Sequence, residues 1–164
     1  MKRLATTLLA LAIPAFATTA AHAAPMVRIL EYGIFATDAS EEAEAKSGPL
    51  ARYPLVKRTR RIPVAVGVRF GFCAEITGLP EFEGKYTLTE IVRHPVMTLP
   101  NGTESAGWNV PRMVKVVDGR AVLCGGHFLR AEHELVPGKW RFTISDSDAD
   151  LIDEKFEAVR ATAR

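Results

Sequence analysis

Residues 134–144 read ELVPGKWRFTI, a Pro-Gly turn followed at once by alternating large apolar residues. Trp140, Phe142 and Ile144 share one parity, and Lys139, Arg141 and Thr143 the other. A strand with one buried and one wet face reads this way. The pattern therefore assigns Trp140 to a core rather than to a binding surface.

Working outward, the same period recurs in short runs bounded by turn residues. MVRILEYGIF (26–35) comes first, and IPVAVGVRFGFCAEI (62–76) is the longest, with Phe70, Phe72, Ala74 and Ile76 on one face. KYTLTEIVRHP (85–95) follows, then RMVKVVDGRAVLC (112–124), whose Asp118-Gly119 is a strong hairpin signal. HFLRAEHEL (127–135), KWRFTI (139–144) and EKFEAV (154–159) complete the set. No βαβ rhythm or long helical period interrupts them. The expected fold is all-β: an Ig-like antiparallel sandwich of about seven strands in a single domain, residues 24–164.

The chain has 164 residues, and its first 23 read as a signal peptide. Lys2 and Arg3 precede an uncharged run from Leu4 to Ala21, and Ala21-His22-Ala23 supplies a small-x-small cleavage site. No later run reaches the roughly 18 apolar residues of a spanning helix, so no membrane span is expected in the mature chain. These features predict a periplasmic or secreted protein. The precursor carries 21 Lys+Arg against 19 Asp+Glu. Removing Lys2 and Arg3 balances the signs, so net charge offers no general argument for a nucleic acid or an anionic membrane. Cys73 and Cys124 are the two cysteines. In an oxidising compartment an even pair without CxxC spacing is expected to form a disulfide.

Residues 36–61 are expected to form a long charged loop between the first two strands. Glu41, Glu42 and Glu44 stand early, and Lys57, Arg58, Arg60 and Arg61 stand late in KRTRR. Connections of this length in compact domains are commonly functional or disordered. The four cations are the candidate binding residues, suited to a phosphate, a polyanion or an acidic protein surface. The competing reading is a solvated charge run, and interleaved aromatics that would suit single-stranded nucleic acid are absent.

The stretches EYGIF, IPVAVGVRFGF, ELVPGKWRFTI and KFEAV together resemble a secreted bacterial family of unknown function, number 3859 in the domain-of-unknown-function series. The resemblance runs from about Glu31 to Val159, and ELVPGKW is its most specific part. It implies a β-sandwich and export, and it transfers no catalytic residues.

Chemistry-bearing motifs are sparse. His127 and His133, if on one strand, lie roughly 20 Å apart at 3.3 Å per residue, too far to share a zinc ion. His94 at a strand end reads as a surface or capping residue. DSDADLIDEKFE (146–157) places Asp146, Asp148, Asp150 and Glu157 at calcium-loop positions, but Leu151 stands where the turn needs Gly. It reads as a solvated hairpin, with weak calcium binding left open. No G-x-S-x-G elbow is present. The sequence thus favours a non-enzymatic module with no cofactor, metal or catalytic residue, binding an envelope protein or component through the loop or an exposed sheet edge. A periplasmic hydrolase with scattered catalytic groups and a protease inhibitor presenting KRTRR are the alternatives.

Overall fold

A computed structural model describes residues 24–37, 53–80, 84–147 and 149–160. The signal-peptide segment, Glu41, Glu42, Glu44 and Asp148 lie outside these residues. Nine strands follow in order: β1 (Met26–Phe35), β2 (Leu55–Lys57), β3 (Arg61–Pro63), β4 (Arg69–Thr77), β5 (Lys85–Thr98), β6 (Glu104–Lys115), β7 (Arg120–Phe128), β8 (Gly138–Ser145) and β9 (Asp150–Val159). They form two sheets, β2-β1-β4-β7 and β3-β9-β8-β5-β6. The strand pairings are antiparallel except β3 with β9, which is parallel.

The alternating runs fill the space between the sheets. Phe70, Phe72, Ala74 and Ile76 of β4 face Trp140, Phe142 and Ile144 of β8, and all seven are fully buried. Phe70 is the hub, edge-on to Trp140 at 5.3 Å, Phe156 at 5.6 Å and Phe142 at 5.9 Å. Edge-to-face pairs of this kind add about 0.5–1.5 kcal/mol each beyond burial.

The strand count differs from the expected seven for local reasons. The segment 36–61 contains β2 and approaches β3, two three-residue pieces too short to show a period. The run 62–76 is broken into β3 and β4 by a turn at Gly67 (φ +87°), whose amide donates to the Leu129 carbonyl. The run 127–135 is not a single strand. β7 stops at Phe128, and Glu132–Glu134 form a 3-10 turn, because the Glu134 carboxylate accepts from the Arg130 and Ala131 amides and curls the chain. Asp118-Gly119 turns between β6 and β7 as expected, both residues having positive φ.

Cys73 and Cys124 form a disulfide with Cα atoms 4.0 Å apart. They are cross-strand partners on β4 and β7, so the bond lies within one sheet rather than between sheets. With Phe35, Tyr53 and Leu55 they form a small second core on the outer face of the four-stranded sheet. Arg69 is part of this lid, its guanidinium 4.0 Å from the Tyr53 ring and 4.8 Å from Phe128.

Candidate functional site: a cationic sheet face and a polar seam

The parity that buries Trp140 and Phe156 turns Lys139, Arg141, Lys155 and Glu157 outward on the five-stranded sheet. Arg61 joins them from β3, opposite Glu157. Arg60, Arg61, Lys139, Arg141, Lys155 and Glu157, with Trp140 and Phe156, line an open cleft of about 430 Å³. Register places Lys155 beside Arg141, and Arg141 beside Arg93 of β5. Three cations thus stand on three adjacent strands, although like charges directly opposite one another destabilise a sheet. Asp153 offsets part of this, with oxygens bonded to Arg141 and to Lys155 at 2.9 Å. The Arg141 bond holds the Asp153 carboxyl below its usual range, and the Lys155 bond adds to that lowering against a modest desolvation effect. The four-stranded sheet treats its charges differently: Glu75 there takes both Arg28 at 3.1 Å and Arg120 at 3.8 Å.

KRTRR is divided between the two sheets. Lys57 ends β2 in one sheet and Arg61 opens β3 in the other, so the segment crosses the edge of the sandwich. Arg60 is held there by the Glu154 carboxylate at 2.9 Å and lies 4.0 Å from the Tyr32 ring. Arg58 covers the same ring at 5.1 Å and donates to the Leu30 carbonyl. Arg60 and Arg61 both line the cleft together with cations from β8 and β9, while Lys57 is exposed at the end of β2.

The opposite side of the sandwich carries a polar seam between β6 and β7. Glu90 on β5 faces inward and is 5% exposed. Its Oε2 lies 3.3 Å from Nε of Arg112, whose Nη2 donates to the Cys124 carbonyl at 3.0 Å. Burial pushes the Glu90 carboxyl upward, with Arg112 holding part of that shift back. Gly125 makes the space, since a Cβ there would come within 2.8 Å of Glu90 Oε1. Arg112 therefore occupies a main-chain acceptor on β7, the edge strand of its sheet, where an incoming strand would otherwise pair.

Next to this seam the histidines correct the sequence reading. His94 is not a surface residue. It is 7% exposed, with its ring 5.0 Å from Trp140. His127 stacks on Trp140 at 4.8 Å, and Trp108 of β6 contacts both imidazoles at 5.4 and 5.5 Å. His133 sits apart in the 3-10 turn, so the two histidines expected on one strand are on different elements. In neutral His94 the Nδ1 proton must go to the Pro95 carbonyl at 2.8 Å, which leaves Nε2 to accept from the Ser105 hydroxyl at 3.4 Å. That contact orders a hydroxyl and a base but is longer than a working proton-transfer distance. His127 Nε2 lies 3.4 Å from Glu134 Oε1. Desolvation raises the Glu134 carboxyl, yet hydrogen bonds from His127 and the Arg130 and Ala131 amides outweigh it and bring the pKa to about 2.

Within the 146–157 segment, Asp146 accepts from the Tyr86 hydroxyl at 2.9 Å and Asp150 from Ser145 at 2.6 Å, while Glu157 lies out on β9. Among the described residues no group of three or more His, Cys, Asp or Glu side chains is placed to hold a metal ion, and no helix is long and apolar enough to cross a membrane.

Trp108, Glu90 and the β8–β9 cations were missed by motif reading. Parity could have found Glu90 and His94, which share the register of the core residues Leu88 and Val92.

An immunoglobulin-like protein from Pseudomonas aeruginosa superposes on this chain with a TM-score of 0.63 at 23% identity, covering 85% of this chain and 99% of that one. At that identity the likeness is one of fold. A β-glucosidase from Listeria innocua in complex with gluconolactone gives a TM-score of 0.42 at 8% identity, over 84% of this chain and 16% of that one, and carries no functional argument. No curated protein matches. The model of the domain of unknown function DUF3859 matches residues 23–158. With that match spanning both sheets, the chain belongs to the DUF3859 family and carries an Ig-like β-sandwich.

Proposed function

We propose that this chain is an exported, non-enzymatic binding module that docks an acidic component of the bacterial envelope on the outward face of its five-stranded sheet. The observation that carries the reading is the segregation of charge: Arg60, Arg61, Lys139, Arg141 and Lys155 converge, against the carboxylate of Glu157, on one cleft of a chain whose mature charges otherwise balance. Placing like charges side by side costs stability, so it is accounted for by a partner that neutralises them. The seam argues against the alternative of strand addition at β7, because Arg112 already takes an edge carbonyl there. The leader-like residues 1–23 support export.

Co-sedimentation with isolated cell envelopes tests the reading. Wild type should pellet with the envelopes and release with salt. A variant with Arg61, Lys139, Arg141 and Lys155 changed to Gln should stay in the supernatant. One with Arg28, Arg120, Lys85 and Lys115 changed to Gln, the same loss of charge placed elsewhere, should pellet like wild type. If the two variants behave alike, the cleft is not the docking site.

The Ser105–His94 contact favours one second reading, a hydrolase using Ser105 as nucleophile and His94 as base. Labelling by a fluorophosphonate that is lost in Ser105→Ala supports it, and no labelling removes it.

A further inference from the structure

The basic cleft has a neighbouring depression on the same sheet face. The second, about 460 Å³, is lined by Arg93 of β5 and by Ala106, Gly107, Trp108 and Asn109 of β6. Arg141 lines the first and Arg93 the second, and these two arginines are cross-strand partners. The depressions are therefore joined by an arginine pair rather than separated by a neutral ridge. With β9, β8 and β5 adjacent in that order, the register sets Lys155, Arg141 and Arg93 side by side in a band running across the strands, with Arg61 of β3 offset from it beside Glu157. Arg93 is poised at its far end, where Nη1 donates to Asn109 Oδ1 at 2.9 Å and to the Val92 carbonyl. Gly107 lets β6 come close to β5 there, since a Cβ would meet the Val92 carbonyl at 2.1 Å.

We infer that this band is a binding track for a linear acidic glycan lying perpendicular to the strands, one sugar to each strand. The inference rests on the envelope-docking reading above and names its ligand class. Neighbouring strands are roughly 4.8 Å apart, so the cations repeat at about the length of one sugar in an extended chain. An acidic peptide in extended form presents same-side charges every ~6.6 Å and falls out of step with that repeat. Single-stranded nucleic acid binds chiefly by stacking bases on aromatic rings. Trp108 lines the far depression, while the Trp140 and Phe156 rings at the near one are buried, so no succession of exposed rings follows the band. Arginine forks suit the planar carboxylates and the sulfates of acidic sugars.

Heparin di- and hexasaccharides serve as probes, titrated by calorimetry into the purified full chain at low salt. A disaccharide fills one depression, whereas a hexasaccharide reaches across the arginine pair. The hexasaccharide is expected to bind at least about tenfold tighter, with a steeper salt dependence. Arg93→Gln should remove that gain while leaving disaccharide affinity within about twofold, and Lys139→Gln should weaken both probes. Lys85→Gln with Lys115→Gln, at the other end of the sheet, should change neither. If the length gain survives Arg93→Gln, or if the distant pair weakens binding equally, the track is wrong while envelope docking by the cleft can still stand. Tighter binding of polyglutamate or oligo-dT at equal charge overturns the glycan assignment. Failure of wild type to bind either saccharide removes the track, and failure in the envelope assay as well removes the docking reading with it.

Discussion

Glu90 and Arg112 meet at 3.3 Å between the two sheets, in a space that exists because residue 125 is glycine. A charge taken out of water is tolerable only when paired. Arg112→Met strands the Glu90 carboxylate and is expected to cost about 3 kcal/mol at pH 7. Because burial raises the Glu90 pKa, its favourable contribution is fully present below the unfolded value near 4.5 and is lost as pH rises through the higher folded value. The penalty in Arg112→Met should therefore shrink as pH falls toward 4, and Glu90→Gln should flatten that dependence. Urea midpoints measured between pH 4 and 8 decide it, and a pH-independent penalty rules the mechanism out.

Glu134 gives the opposite sign. Its pKa near 2 lies below the unfolded value, so its contribution is present above about 4.5 and is lost as pH falls through 2. Glu134→Gln should lose about 1–2 kcal/mol at pH 7, the figure being discounted for solvent around the carboxylate. The variant should also lack the wild-type decline between pH 4.5 and 2. Thermal unfolding across that range, with Glu132→Gln as the neighbouring control, is the measurement.

The disulfide closes a sequence separation of 51 residues, and on the chain-entropy model this stabilises the fold by about 4 kcal/mol. Cys73→Ala with Cys124→Ala and the reduced wild type should share one lowered Tm. Because the pair also packs under Phe35 and Tyr53, the double variant should expose this patch to limited proteolysis before the main core opens. A double variant melting with oxidised wild type contradicts both statements.

What was legible in the residues was the period. Phe70, Phe72, Trp140 and Phe142 announce their burial because a strand has only two faces, and one parity here is uniformly apolar. The disulfide followed from compartment and count. The position of the bond within one sheet did not, because it depends on which strands are neighbours. The same limit hid the cationic band: Lys139 and Arg141 read as outward, but nothing local places Arg93 beside Arg141. Trp108 was obscured because GTESAGW offers no apolar alternation around it. His94 was misjudged because the adjacent Pro95 signals a strand end, whereas β5 continues to Thr98 with Pro95 inside it.

KRTRR shows how one charge run can divide its labour, and the division is measurable residue by residue. Arg60 neutralises Glu154, whose side chain is 10% exposed, so Arg60→Met should cost about 2–3 kcal/mol through the carboxylate left behind. Arg58 lies over the Tyr32 ring and donates to a carbonyl at 3.4 Å, and Arg58→Met should cost under about 1 kcal/mol. Arg61 points outward into the cleft, so Arg61→Gln should leave stability within about 0.5 kcal/mol of wild type while weakening envelope binding. Denaturant unfolding should rank Arg60→Met as the most destabilised, whereas envelope co-sedimentation should be weakened by Arg61→Gln with stability kept and left unchanged by Arg58→Met. Equal effects of all three on both readouts would mean that the segment acts as one patch after all.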